Sequence, residues 1–386
     1  MSTKKIIKIG MLAGEHSGDK IGAKLINQLK EYSNLEIVGV GGPAMERAGF
    51  KSIIPFDELQ VMGLVEPLLR LRRLLKLRKK ISDFFIENEI DYFFGIDFPD
   101  FNMGIHKNLR SEKIKNVQFV SPSVWAWRKS RIKDIRKNID LVACLFGFES
   151  RFFDENHIPN VHMGHPLVST QRIGEANIPE YSELSSSKKA NLIALVPGSR
   201  ISEIKQMMPT YINFMKDFYA EHSKASFVIP AASEKIKTMI IAMIGNHKLP
   251  VSVRLGKMKE LLLSSKVSVV TSGTATLESV LYGAWPVICY KTNFINYQIL
   301  SRMITVDHIG LPNLIRNKRV FPELIQKDCN PSSISGAVSS LLENHSNYER
   351  YYGEILSSMY GIGLQSTFQE IFGNDMPLID LKRLYF

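Results

Sequence analysis

Cysteine is scarce in this chain, with three in 386 residues. Cys144, Cys289 and Cys329 stand far apart and form no C-x-x-C pair. That spacing excludes a zinc ribbon and a disulfide scaffold, and it fits a reducing compartment. Long apolar runs are also missing, so no segment is long enough to span a bilayer. The start, Lys4-Lys5-Ile6-Ile7-Lys8-Ile9-Gly10, is charged within its apolar run and reads as a first strand, not a secretory signal. His157, His162 and His165 lie close in sequence, but their spacing fits no zinc motif. There is no G-x-G-x-x-G, no P-loop Lys-Ser/Thr and no G-x-S-x-G elbow. These absences disfavour dinucleotide binding, ATP hydrolysis and serine hydrolysis.

Acid is the minority charge: 38 Asp and Glu against 49 Lys and Arg give a net charge of +11. Such a balance favours anionic partners, whether nucleic acid, phospholipid head groups or phosphorylated substrates. The positive charge gathers in Arg70–Lys80 and Arg128–Lys137. No aromatic ladder interleaves either run, so no nucleic-acid partner is expected. Leu64, Leu68, Leu71 and Leu75 line one face of a helix predicted to start at Pro67, with Arg72 and Arg73 beside them. That pattern suits a helix lying on an anionic membrane. A buried helix with a solvated basic face is the alternative.

What is present is a folded α/β pattern. The chain is 45% hydrophobic and 23% charged, and long enough for two domains. Short apolar strands are predicted at Ile6–Leu12, Glu36–Val40, Asp91–Ile96, Val117–Val120 and Leu141–Leu145, with helices between them. A polar stretch, Gln171–Lys189, reads as a linker. A second series follows at Asn191–Val196, Phe227–Ile229, Val251–Leu255, Lys266–Thr271 and Val287–Tyr290. Repeated βα units imply parallel sheets covered on both faces, with ligands at the carboxyl ends of the strands. The expected domains are 1–170 and 171–345. A helical tail, 346–386, is expected to pack back on the first domain or on a second copy, as in a homodimer.

Several strand ends carry chemistry. Gly14-Glu15-His16-Ser17-Gly18-Asp19 joins the first strand to the first helix. Asp97-Phe98-Pro99-Asp100-Phe101-Asn102 places two carboxylates after a strand; one could take a proton from a hydroxyl, or both could cap a helix. Their D-x-x-D spacing is not that of a metal–diphosphate site, so no metal is expected. Trp125-Ala126-Trp127-Arg128 could pack on sugars or acyl chains, or anchor the core. Pro197-Gly198-Ser199-Arg200 offers a close backbone approach and a guanidinium for a diphosphate. Glu203 could instead pair with Arg200. Ser272-Gly273-Thr274-Ala275-Thr276-Leu277-Glu278 is a strand–turn–helix start whose first amides could bind phosphate. Thr274 and Thr276 would add hydroxyls, and Glu278 could accept from a ribose. Gly283 is expected to stop that helix.

Together these motifs resemble the lipid-A-disaccharide synthase family. The shared segments are Ala13–Asp19 in the form A-G-E-x-S-G-D, Val61-Met62-Gly63, Ile96–Asn102, Ser121–Arg128, Pro197–Arg200, Ser272–Glu278 and Leu311-Pro312-Asn313. They run in family order along nearly the whole chain. The resemblance implies a GT-B fold, two Rossmann-like parallel-sheet domains facing across a cleft. It implies a metal- and cofactor-independent inverting transferase that joins UDP-2,3-diacylglucosamine to 2,3-diacylglucosamine 1-phosphate. Asp97 would be the base, with Arg200 steadying the departing UDP. The donor would be held by Gly198, Ser199, Arg200, Met258, Ser272, Gly273, Thr274, Thr276, Glu278 and Asn313. The acceptor would be held by Gly14, Glu15, Ser17, Gly18, Asp19, Asp100, Trp127 and Arg128. The implied location is the cytoplasmic face of the inner membrane. A UDP-N-acetylglucosamine epimerase or another GT-B glycosyltransferase is the rival enzyme. A non-catalytic protein that binds membrane surfaces or nucleic acid is the rival of another class.

Overall fold

A computed structural model describes residues 6–32, 34–59, 71–168, 189–293, 297–298 and 306–373. The chain divides into two units. One holds residues up to 166 and from 359 onward, and the other holds 167–358.

The first unit is a six-stranded parallel sheet in the order β2-β1-β3-β4-β5-β6. Its elements run β1 (Ile7–Ala13), α1 (His16–Leu29), β2 (Leu35–Val40), α2 (Pro43–Arg47), α3 (Leu71–Glu87), β3 (Tyr92–Ile96), α4 (Pro99–Leu109), β4 (Lys115–Phe119), α5 (Ile132–Asn138), β5 (Leu141–Cys144), α6 (Gly147–Glu155) and β6 (Asn160–His162). The second unit is also six-stranded, in the order β12-β11-β10-β7-β8-β9. It runs β7 (Lys189–Val196), α7 (Ile201–Glu221), β8 (Ser226–Ala231), α8 (Glu234–Ile244), β9 (Val251–Leu255), α9 (Met258–Ser264), β10 (Ser265–Thr271), α10 (Ala275–Leu281), β11 (Trp285–Tyr290), α11 (Leu311–Arg316), β12 (Glu323–Ile325) and α12 (Pro331–Glu343). α13 (Glu349–Met359) leads back to the first unit, where α14 (Gly363–Phe372) packs.

All these strand pairings are parallel. Every residue of β3 is buried, as a parallel strand covered on both faces must be. Its side chains alternate. Phe93 meets Phe85 of α3 and His106 of α4 on one face. Tyr92 and Phe94 meet Phe372 of α14 on the other, where Phe94 also stacks on Phe368. The C-terminal helix thus completes the first core. Residues 345–348 belong to the second unit instead. The Trp285 indole donates to the His345 carbonyl at 2.9 Å, and Tyr348 stacks on Phe321.

α3 carries features of both readings of its leucines. Leu77, Ile81 and Phe85 are buried in the core, with Leu74 packed against it. Leu71 and Leu75 point outward, 48% and 47% exposed, among exposed Arg72, Arg73 and Lys76. Leu64, Leu68 and Val61-Met62-Gly63 lie outside the described residues, as do most of the linker and Met376–Phe386.

Phe368 is fully buried among Tyr32, Phe94, Phe119 and Phe372. Phe368→Ala is expected to destabilise the first unit by about 3–5 kcal/mol, measured as the shift of its urea unfolding transition.

Candidate active site

In the first unit the loops after β1, β3 and β4 share one end of the sheet. Asp97 and Phe98 end β3 with consecutive left-handed residues, φ +51° and +48°. Such backbone costs on the order of 1–3 kcal/mol per residue and persists only where the surroundings over-determine it. Here the surroundings are side-chain amides. Asn102 Nδ2 donates to the Asp97 carbonyl at 2.7 Å, and Gln118 Nε2 to the same oxygen at 3.1 Å. The Gln118 amide also faces the carbonyls of Phe119 and of Val120, itself left-handed at φ +66°. Gln118 Oε1 in turn meets Nε2 of the buried His106 at 3.0 Å, and Asn116 Oδ1 meets its Nδ1 at 3.1 Å. Burial lowers the His106 pKa against the pull of those two oxygens. Gly95 makes room for the network, because a Cβ there would sit 2.6 Å from Gln118 Oε1.

The Asp97 side chain is half-buried, and Ser17 Oγ donates to its Oδ2 at 2.6 Å. That charge-assisted bond orients the carboxylate and leaves Oδ1 without a donor among the described residues. Gly14 and Gly18 serve this approach. A Cβ on Gly14 would strike the Phe98 ring, and one on Gly18 would press on the Ile96 carbonyl and Asp97 Cβ. Glu15 is half-buried beside them. Asp19, expected at the acceptor, turns inward instead. It is 3% exposed and accepts the amides of Gly42, Ala44 and Met45 at 2.8–2.9 Å, capping α2.

Asp100 is exposed and paired with Arg128 and Arg131. Arg128 also lies 4.1 Å over the half-exposed Trp127 ring. Trp125 packs edge-on against Phe148. Below it Glu149, 5% exposed, accepts the amides of Leu145 and Phe146 at 3.0 and 3.2 Å. Burial pushes its carboxyl up to about 7, opposed by Ser121, these amides and the Trp125 indole. Neither Ser121 Oγ nor Trp125 Nε1 closes a well-formed hydrogen bond with it. His165 lies in the same unit, stacked on Phe146, and burial lowers it to about 4.

The second unit presents two helix starts. At the first, Gly198 has φ +111° and Glu203 reaches back over the turn. Its Oε2 accepts the amides of Ser199 and Arg200 at 3.0 and 3.2 Å, and its Oε1 meets Arg200 Nη1 at 3.2 Å. The alternative pairing of Arg200 is therefore the one observed. At the second start, Gly273, with φ +152°, and Thr274 are exposed, and Ala275 is half-buried. No described group accepts from their amides. A Cβ on Gly273 would meet nothing within 4 Å, so the space above the turn is open. Ser272 Oγ donates to the Ile309 carbonyl at 2.9 Å. Glu278 is half-buried one turn on, and Gly283 ends the helix at φ +66°. Met258 begins α9 after the left-handed Gly256 and Lys257.

Two residues expected at the donor are instead internal. Thr276 is fully buried, its hydroxyl donating to the Gly273 carbonyl at 2.7 Å. Asn313 is fully buried too. It donates to the Phe321 carbonyl and Glu323, and it accepts the amides of Val320 and Phe321. No group of three or more His, Cys, Asp or Glu able to hold a metal occurs among the described residues. Gln118 and His106 lie outside every motif read in the sequence, and Asn102 stands in one whose carboxylates alone were given a role. Their signal was polarity inside apolar segments, since Gln118 sits between Val117 and Phe119.

Two parallel six-stranded sheets, each wound with helices and each bearing polar groups at its strand ends, define the GT-B class of glycosyltransferase architecture. The UDP-GlcNAc 2-epimerase of Neisseria meningitidis shares the fold, with a TM-score of 0.58 and 12% identity over 95% of this chain and 99% of that one. A putative UDP-N-acetylglucosamine 2-epimerase from Listeria monocytogenes gives 0.57 and 12% over 96% of each. The family model for lipid-A-disaccharide synthetase matches residues 9–358. The lipid-A-disaccharide synthase of Saccharophagus degradans is 38% identical over 93% of this chain and 92% of its own. That of Colwellia psychrerythraea is 39% identical over 86% and 85%. The chain belongs to the lipid-A-disaccharide synthetase family, and it is a glycosyltransferase of lipid A disaccharide synthesis.

Glu149 carries a pH signature. Its folded pKa lies above its ordinary value, so its stabilising contribution is full below about pH 4.5 and declines as pH rises towards about 7. Urea midpoints at pH 5 and pH 8 are expected to fall less in Glu149→Gln than in wild type. Equal falls would place the titration elsewhere.

Proposed function

We propose that this enzyme transfers 2,3-diacylglucosamine from its UDP conjugate to 2,3-diacylglucosamine 1-phosphate, inverting the anomeric carbon in one displacement and releasing UDP. The observation that carries the reading is Asp97: a carboxylate fixed by Ser17 on one oxygen, with no donor to the other among the described residues. In this role Oδ1 accepts the proton of the acceptor hydroxyl as that oxygen attacks. Glu15 and Trp127 border the acceptor. Asp19 acts one layer behind, through the α2 cap.

The donor is assigned to the second unit. The open amides of Gly273, Thr274 and Ala275 take diphosphate oxygens at the positive end of α10. Arg200 adds charge as UDP departs, when its stabilisation counts most. It must first leave Glu203. That pair is substantially exposed, 56% and 29%, and exposed pairs of this kind are worth about 0.2–1 kcal/mol. Glu278 accepts from the ribose, and Met258 borders the base. The chemistry so described needs no metal.

Acylated substrates reside in a membrane. Leu71 and Leu75, outward among Arg72, Arg73 and Lys76, form the described part of a surface suited to anionic lipid. No described helix is long and apolar enough to cross a membrane. We place the enzyme peripherally on the cytoplasmic face of the inner membrane. An epimerase-like activity, the second reading suggested by the fold neighbours, would act on the UDP-sugar without any acceptor.

UDP release in mixed micelles containing EDTA is expected to depend on the acceptor. Asp97→Asn should lower kcat by about 10²- to 10⁴-fold while calorimetry shows UDP binding unchanged; near-normal turnover would remove Asp97 from the role. Leu71→Ser with Leu75→Ser is expected to reduce sedimentation with anionic vesicles and to leave the unfolding transition in place. Undiminished sedimentation would assign membrane contact elsewhere.

A further inference from the structure

We propose that the arginine cluster at the start of α4 binds a sugar phosphomonoester, and that Asp100 occupies the cluster as an internal counter-ion until that ligand arrives. The inference rests on the transfer reading above and assigns the part of the acceptor that these residues hold.

Three guanidiniums from two separate segments converge on one residue. Arg128 Nη1 lies 3.3 Å from Asp100 Oδ1, and Arg131 Nη1 pairs with the same oxygen. Arg78, from α3, donates through Nη2 to the Asp100 carbonyl at 3.1 Å. Neither basic run accounts for this alone, because tertiary packing brings α3 to the loop after β4. Three positive charges face one carboxylate, an excess of two. A phosphomonoester carries about −1.5 to −2 at neutral pH, so on displacing Asp100 it neutralises more of the cluster than that one carboxylate does.

Two of the arginines, Arg78 and Arg128, are also held by groups that are not anions. The Arg78 guanidinium lies 5.1 Å from the Phe101 ring centroid and against Gly104, where a Cβ would come within 2.4 Å of it. Its buried Nε has no partner among the described residues. The Arg128 guanidinium is stacked on Trp127. A clasp joining α4 to the loop after β4 needs only one arginine. Three, packed with most of their donors unused among the described residues, form a pre-organised fork for oxygens that Asp100 fills in part. The Arg128 and Arg131 side chains are 35% and 31% exposed, so a ligand can reach them. Asp100 is 56% exposed, and displacing so exposed a partner costs little. The amino end of α4, an 11-residue helix, adds its dipole. Asp100 follows Asp97 by three residues, so a phosphate held here tethers the acceptor beside the base.

The test uses the full chain in neutral-detergent micelles, free of anionic lipid. The wild type, Arg131→Gln and the double variant Arg128→Gln with Arg131→Gln are compared on 2,3-diacylglucosamine 1-phosphate and on the same lipid without its phosphate. The preference in kcat/KM for the phosphorylated acceptor is expected to drop at least tenfold, mainly through KM, while the Kd for UDP is unchanged. Asp100→Asn, which keeps all three arginines, is expected to lower KM for the phosphorylated acceptor. Calorimetry with glucosamine 1-phosphate reads the cluster independently of turnover, and its Kd should weaken at least tenfold in Arg131→Gln. An unchanged preference, an equal loss on both acceptors, or an unchanged Kd for glucosamine 1-phosphate would overturn the proposal. So would variants impaired only in sedimentation with anionic vesicles, which would make the cluster a headgroup contact. A wild type that binds glucosamine 1-phosphate through Arg131 yet transfers no sugar would instead sink the transfer reading.

Discussion

Gln118 donates to the Asp97 carbonyl and to the carbonyls of Phe119 and Val120, while its own oxygen meets His106. The chain therefore leaves β3 and β4 through left-handed residues, of which only Asp97 is a type that visits this region with any frequency. Asp97 and Val120 are not glycines, and Val120 is β-branched, which makes its positive φ unusual. A single buried amide holds both turns, helped by Asn102. The carboxylate aimed by one turn and the tryptophan–arginine loop that follows the other depend on the same side chain. Removing that buried amide strips a donor from all three carbonyls, although those of Asp97 and Phe119 keep the Asn102 amide and the Asp97 N–H.

The second unit treats anions differently at its two helix starts. At α7 the chain supplies its own anion, since Glu203 takes the amides of Ser199 and Arg200 and neutralises the guanidinium. At α10 the turn is left open, with Gly273 facing empty space. The first is a capping box, which stabilises a helix locally. The second forgoes that stabilisation. Both follow from glycine, yet Gly198 is required by a glutamate pressing on it, whereas Gly273 has nothing to avoid.

Much of this was legible in the sequence. The βα alternation located ten strands to within a few residues, and the Ser-Gly-Thr helix start was recognisable from its turn. The three-residue strands β6 and β12 escaped, because so short a segment shows no period. Site chemistry was legible in kind but not in direction. Asp19 and Asp97 both follow strands, yet Asp19 faces inward because amides 23–26 residues later await it. Asn313 and Thr276 are likewise claimed by neighbours. Local spacing says which groups stand near a strand end. Which of them remain open depends on partners that only the folded chain brings together.

The first unit is interrupted by the second in sequence: its sheet is complete by residue 162, but the helix covering Tyr92, Phe94 and Phe119 begins at Gly363. During synthesis, the whole second unit emerges before that covering helix exists. At about 5–20 residues per second, the 200-odd residues in between take on the order of ten seconds or more to make. Through that interval the aromatic face of β3 and β4 lacks its native cover and is open to chaperones or to other nascent chains. The order of the genetic text therefore makes a later-made segment responsible for closing an earlier-made core.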